Sequence, residues 1–131
     1  MGAKVGVREM IRHEGQLKVV RLVNRRPGTD VAHFRQHWLS HHRDLEREIV
    51  ETTPVLRIAT TFPSLAGRVR ERTSHDGMVE IYFATRRDLV ELFAGPIPAM
   101  MRRDEERFVD LEAPVLRVLA EESEIGSSNL G

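Results

Sequence analysis

Between Leu17 and Glu122 the hydrophobic period alternates between two and about 3.6 in one order, and that order restricts the fold more than any single motif does. Leu17–Asn24 alternates as a strand. Thr29 or Asp30, following the Pro27–Gly28 turn, can cap a helix over Asp30 to about Glu51, on which Val31, Phe34, Trp38, Leu45 and Ile49 recur at helical spacing. Val55–Phe62 and Met78–Ala84 read as two further strands. Thr85-Arg86-Arg87-Asp88 opens a short helix carrying Leu89, Leu92 and Phe93, which Gly95-Pro96 ends. A last helix over about Pro98–Phe108 and a fourth strand over Val115–Glu121 complete the order β-α-β-β-α-β. That is the ferredoxin-like split βαβ plan, an α+β fold with a four-stranded antiparallel sheet carrying its helices on one face.

At 131 residues, 40% hydrophobic and 31% charged, the chain suits one domain over 17–122 with a modest core. Residues 1–16 are expected as a frayed N-terminal extension and 123–131, small and polar, as a flexible tail. Twenty basic residues balance twenty acidic ones, so no net field recommends nucleic acid or an anionic membrane. The lack of cysteine removes disulfides, thiolate catalysis and cysteine zinc sites. No membrane-spanning run and no secretory signal stand out, which makes a cytoplasmic protein the expectation. A phosphate-binding glycine loop, a serine nucleophile elbow and a conventional zinc motif are also missing.

His42 is the candidate for chemistry. It follows Trp38 by four residues and precedes Leu45 by three, which places an imidazole at the edge of the apolar stripe, where its titration can be tuned near neutral pH. The plainer alternative is a boundary histidine hydrogen-bonded to Asp76 or Glu46. Strand alternation sorts Val20, Leu22, Leu56, Ile58, Val79, Ile81, Phe83, Leu116 and Val118 onto the face beneath the helices. The opposite face receives Val19, Arg21 and Val23, then Val55, Arg57 and Ala59, then Met78, Glu80 and Tyr82, and finally Val115, Arg117 and Leu119. If a second subunit covers that face, Arg21, Arg57 and Arg117 meet Glu80 in a sheltered space, and the surplus of guanidinium groups suits an organic acid. His33, His37 and His41 form a ladder on one helical stripe that cannot wrap a single ion, so they read as solvated and no metal is expected.

Phe34-Arg35-Gln36-His37-Trp38-Leu39-Ser40-His41-His42, preceded by Leu17–Gly28, resembles the EthD-like family of small dimeric α+β barrel proteins. Asp76-Gly77-Met78-Val79-Glu80-Ile81-Tyr82-Phe83 and Asp104-Glu105-Glu106-Arg107-Phe108-Val109-Asp110 resemble the family's third strand and final helix segment. The resemblance covers roughly Leu17–Glu122 and implies a homodimer whose sheets pack face to face, each subunit keeping a pocket between sheet and helices. It carries the family's Trp-x-x-x-His onto Trp38 and His42, its Asp-Gly onto Asp76 and Gly77, and its strand acid onto Glu80. This chain departs from the family in having His75 where an aromatic residue is usual before Asp-Gly. An arginine-rich stretch over 64–74 also fits the pattern poorly and is expected as a mobile rim.

Together these readings set the expectation of a small enzyme of lyase, isomerase or cyclase type, acting without a cofactor on a carbonyl-bearing, anionic or aromatic metabolite. His42, Asp76 and Glu80 form the expected proton-transfer set, with a strand-launching turn the plainer role for Asp76. Trp38, Arg21, Arg57, Tyr82, Arg117 and Phe108 are the expected substrate contacts, with core packing the plainer role for Trp38 and core or dimer packing for Phe108. Two alternatives stand beside it: a ligand-binding accessory to a partner oxygenase, and a monooxygenase that is cofactor-free or uses heme, with His42 as base or axial ligand.

Overall fold

Asp30, not Thr29, caps the first helix, its carboxylate accepting the His33 N–H at 2.8 Å. A computed structural model describes residues 14–64, 75–113 and 116–126; the expected rim at 65–74, the N-terminal 1–13 and the end of the tail at 127–131 lie outside them. Strand β1 (Glu14–Val23) begins within what reads as a frayed extension, because Glu14 and Gln16 find partners at Ser123 and Glu122. Next come α1 (Val31–His37), a π-helical turn (Trp38–His42) and α2 (Arg43–Thr52), continuous as one helix. Strands β2 (Arg57–Thr61) and β3 (Gly77–Phe83) follow, then α3 (Arg86–Ala94), α4 (Ile97–Glu105) and β4 (Leu116–Ser123). The strands lie in the order β2-β3-β1-β4 and all neighbouring pairs are antiparallel.

The expected cap of α3 forms: Thr85 accepts from the Asp88 N–H at 3.1 Å. The π turn has a sequence cause. The buried positions Phe34, Trp38, His42 and Glu46 follow one another at four-residue steps. Each such step overshoots a 3.6-residue turn by about 40°, so a pure α-helix would carry His42 and Glu46 away from the core. One wider turn absorbs the drift, closed by the Arg43 N–H bonding to the Trp38 carbonyl five residues back.

Two of the four strand parities run opposite to expectation. Register pairs Val19 with Ile81 and Leu119, and Arg21 with Val79 and Arg117, so these side chains share the face beneath the helices. Val20, Leu22, Leu116 and Val118 consequently point to the open face, where Leu116 and Val118 stay exposed. On β1 each alternating set carries one cation among apolar residues, Lys18 with Val20 and Leu22, and Arg21 with Val19 and Val23, and treating Arg21 as the solvent charge selects the wrong set. Strands β2 and β3 follow expectation at Ile58, Val79, Ile81 and Phe83, which pack inward, and at Arg57, Glu80 and Tyr82, which face outward.

The core divides into two groups joined by Ile58 and Ile81. One gathers Val23, Phe34, Trp38, Val79, Phe108 and Val109, and the other Val19, Ile49, Val55, Phe83 and Leu92. Three residues beyond each element, the segment after α4 is tied to the segment after β1 by the Arg26 N–H bonding the Phe108 carbonyl at 2.9 Å.

Candidate functional site

The π turn delivers His42 to the centre of the molecule, 1% exposed, instead of the edge of the stripe. Trp38, Phe108 and His42 meet edge-on at centroid distances of 5.2 to 5.4 Å, which locks the imidazole plane from behind. Its Nδ1 lies 2.8 Å from Asp104 Oδ2 on α4. A carboxylate at that distance accepts the Nδ1 proton, leaving the Nε2 lone pair free to act. Asp104 Oδ1 stands 3.4 Å from His37 Nε2, so one carboxylate bridges two imidazoles. Burial raises the Asp104 pKa, but the hydrogen bonds and charges of His42 and His37 outweigh it and hold the group below the usual carboxylate range.

On its other side His42 faces a cavity of about 320 Å³ between sheet and helices. Val19, Ile49, Ile58, Val79, Ile81 and Leu92 are among its apolar walls. Its polar lining is His42, Glu46, Glu105, Arg21, Arg102 and Arg117. Glu46 Oε2 and Glu105 Oε2 stand 4.0 and 3.9 Å from His42 Nε2. Glu105 is neutralised by Arg21 Nη1 at 2.8 Å, an ion pair tying α4 to the central strand. Arg21 Nε and Glu46 Oε2 are buried without a hydrogen-bond partner among the described residues. Arg117 reaches the cavity from β4, its guanidinium 5.9 Å from the Phe93 ring.

The expected site residues therefore fall into three places. His42, Arg21 and Arg117 come together at the cavity. Trp38 and Phe108 back the imidazole without lining the cavity, and they belong to the core. The other expected residues are engaged elsewhere. Asp76 binds the Arg25 backbone N–H and guanidinium, each at 2.8 Å, and so pins the start of β3 beside the end of β1. Glu80, Tyr82 and Arg57 lie on the open face with Lys18 and Glu122. There Lys18 bonds Glu80 and, at 2.9 Å, Glu122; the Tyr82 hydroxyl donates to Glu122 at 2.7 Å, and Arg57 stacks 3.8 Å above the Tyr82 ring. Arg21 and Arg117 thus never face Glu80, and Asp76 and Glu80 are not partners of His42.

Sequence reasoning missed Asp104 and Glu105 as partners of the imidazole. They sit in Arg102-Arg103-Asp104-Glu105-Glu106-Arg107, which looks like a solvated helix surface. A signal was present in Ile97, Met101 and Phe108, whose helical spacing puts Glu105 on the same buried stripe. The histidine ladder is likewise spent locally. His33 Nδ1 meets Asp30, and His37 stacks on Phe108 at 4.4 Å and beside His41 at 5.3 Å. Among the described residues no group of three has the arrangement of a metal centre.

An open four-stranded antiparallel sheet of this order, with helices on one face and a titratable cavity between the layers, defines a ferredoxin-like α+β domain. The EthD domain model matches residues 26–112, and the chain belongs to the EthD family. It is similar in structure to an EthD family protein of Bacillus halodurans, at 19% identity and a TM-score of 0.61, with 82% of this chain and 98% of that one covered. A Bacteroides fragilis protein described as dimeric, ferredoxin-like and of unknown function aligns at 10% identity and a TM-score of 0.58, over 86% and 99% of the two chains. A hypothetical Arabidopsis thaliana protein aligns at 14% identity and a TM-score of 0.59, over 92% and 99%. No curated protein sequence matches the chain. Among the described residues no helix is long and apolar enough to cross a membrane.

Proposed function

We propose that this protein is a small enzyme of lyase, isomerase or cyclase type that moves a proton on a carbonyl-bearing, anionic or aromatic metabolite without a cofactor. One observation carries the reading. His42 is buried, its Nδ1 is held by Asp104, and its Nε2 opens on a cavity whose aliphatic walls are broken by a few charged side chains. Asp104 takes the orienting role expected of Asp76 or Glu80, fixing the tautomer so that Nε2 is the base. An apolar or aromatic body fits the walls formed by Ile49, Ile58, Val79 and Leu92, while Arg117 and Arg102 offer an acidic group its counter-charge at the cavity lining. Heme fits poorly, because the carboxyl oxygens of Glu46 and Glu105 already crowd Nε2 at 4.0 and 3.9 Å.

The homodimer belongs to the same proposal. Val118, 58% exposed, and Leu116 stand beside Val20 and Leu22 on the open sheet face, and the Bacteroides fragilis neighbour is described as dimeric.

The test is solvent deuterium incorporation into a panel of enolisable oxo acids and lactones, followed by proton NMR. His42→Ala is expected to slow exchange by about 10²–10⁴-fold while retaining binding of the same compound. Equal exchange by His42→Ala and wild type rejects the acid–base role, and binding without exchange in both points to carriage instead of catalysis.

A further inference from the structure

Glu46 takes no part in the His42–Asp104 pair, yet it lines the same cavity. Its side chain is 4% exposed, and Oε2 lacks any hydrogen-bond partner among the described residues. Buried carboxyl oxygens are ordinarily satisfied, so an orphaned one lining a cavity asks for a ligand or a proton. The other groups facing it set its balance. Arg43 Nε, on the same helix, is 3.5 Å from Oε1 but forms no hydrogen bond. The Trp38 indole N–H, eight residues back on the same helix, is directed toward the carboxyl group and favours its charged form without completing a hydrogen bond. From α4, Glu105 adds a like charge, itself tied to Arg21 of β1; His42 Nε2 completes the ring at 4.0 Å. Arg102 and Arg117 line the same cavity.

We propose that Glu46 is the second proton carrier of this site. Its protonated Oε2 gives a hydrogen to a carbonyl oxygen held in the cavity alongside the pair, while His42 Nε2 removes a proton from the adjacent carbon. The inference rests on the acid–base reading of His42 and specifies its substrate as an enolisable carbonyl compound.

Charge and electrons balance within the pair. At the start His42 and Glu46 are both neutral. The C–H electron pair becomes the new C=C bond, the C=O π pair takes the Glu46 proton, and a neutral enol results beside a His42 cation and a Glu46 carboxylate. The two charges so created face each other across 4.0 Å in a cavity with aliphatic walls, where their attraction is large. No net charge enters or leaves, and Arg21 with Glu105 remains a closed pair. Reversing the transfers at a different carbon gives an isomer; in elimination the enol hydroxyl returns its proton to Glu46, the C=O forms again, and the β-substituent departs with its bonding pair and takes the His42 proton. Burial pushes the Glu46 carboxyl above its ordinary range against the opposing pull of His42 and Arg43, which supports the protonated form as the resting one.

The decisive experiment needs no substrate. Carboxyl carbon shifts of glutamates labelled with carbon-13 are followed by NMR against pH in the wild-type protein, with Glu46 assigned by through-bond correlation. Glu46 is expected to lose its proton at a clearly higher pH than the exposed Glu48 and Glu51, and to shift its midpoint when His42 is replaced in His42→Gln. Ionisation together with Glu48 and Glu51 overturns the inference about Glu46 and leaves the role of His42 intact. A second arm measures deuterium exchange into phenylpyruvate, an enolisable anionic keto acid. Glu46→Gln is expected to exchange at least tenfold more slowly than wild type with unchanged binding; exchange at the wild-type rate overturns the inference. A wild-type protein that binds phenylpyruvate without exchanging it, while Glu46 titrates high and with His42, counts against the proposed function and supports the paired carboxyl group.

Discussion

Asp104 bonds a buried imidazole with one oxygen and approaches a half-buried one with the other, so its charge is fixed by two rings at once. Asp104→Asn keeps the shape and removes the charge. An asparagine can present its NH₂ to Nδ1, which reverses the tautomer and turns Nε2 from acceptor to donor. Exchange or turnover is expected to fall by about 10²–10⁴-fold, with apparent substrate affinity nearly unchanged, as read from initial rates. The same substitution carries a pH signature. Because the folded-state pKa of Asp104 lies below its ordinary 3.8, its stabilising contribution is complete above that value and is lost as pH falls through the depressed one. The melting temperature of the wild type is therefore expected to exceed that of Asp104→Asn at neutral pH, with the gap closing in acid. A gap of constant size from neutral to acid contradicts the linkage. Glu46 has the opposite sign: its raised pKa makes stability decline as pH climbs from the ordinary 4.5 to the folded value.

The helix that carries His42 shows what pattern reading can and cannot recover. Its existence, its cap region and the burial of Phe34, Trp38 and Ile49 were legible because apolar residues recur there with few polar interruptions. The π turn was not, since the step from Trp38 to His42 to Glu46 passes through residues normally counted as polar. His42 and Glu46 look like the boundary and the outside of an α-helix until the wider turn brings them inward. A comparable blindness reversed β1 and β4. When each alternating set of a strand carries one cation among apolar residues, the alternation does not say which charge is inside; Lys18 faces out, and Arg21 is held inside by Glu105, a residue more than eighty positions away. Strand β3 was legible because outward Glu80 and Tyr82 alternate with inward Val79, Ile81 and Phe83, and β2 was legible at Arg57 and Ile58 but not just before it, where Val55, expected on the open face, is buried in the core. Trp38 is the member that joins helix to core, meeting Phe34, Phe62 and Phe108 at centroid distances of 5.4 to 5.8 Å. Trp38→Ala is expected to cost about 3–5 kcal/mol in urea unfolding and to loosen the imidazole plane behind the cavity. A cost well under about 1 kcal/mol indicates that the site is not part of the cooperative core.

At the scale of the whole molecule, two layers separate two kinds of polar chemistry. The cavity layer holds Arg21, Arg117, Glu46, Glu105 and His42; the far side of the sheet holds Lys18, Arg57, Glu80, Glu122 and Tyr82. The cavity is formed within a single chain, so it does not await a partner to exist. Dimerisation through the open face is tested by Val118→Lys, which is expected to convert a dimeric sedimentation profile to a monomeric one while leaving the circular dichroism of the fold unchanged. Monomeric wild-type protein at micromolar concentration rejects this mode of assembly.

The charges on that outer side cancel among themselves: two cations and two carboxylates are bonded or stacked around one phenol within each copy. Like signs brought together by a twofold axis would ordinarily repel. A patch already neutral in its own right can instead be laid against its own image, and the aliphatic rows beside it decide whether contact holds. Pairing of copies through this surface is then expected to rest on shape and water release and to respond little to salt.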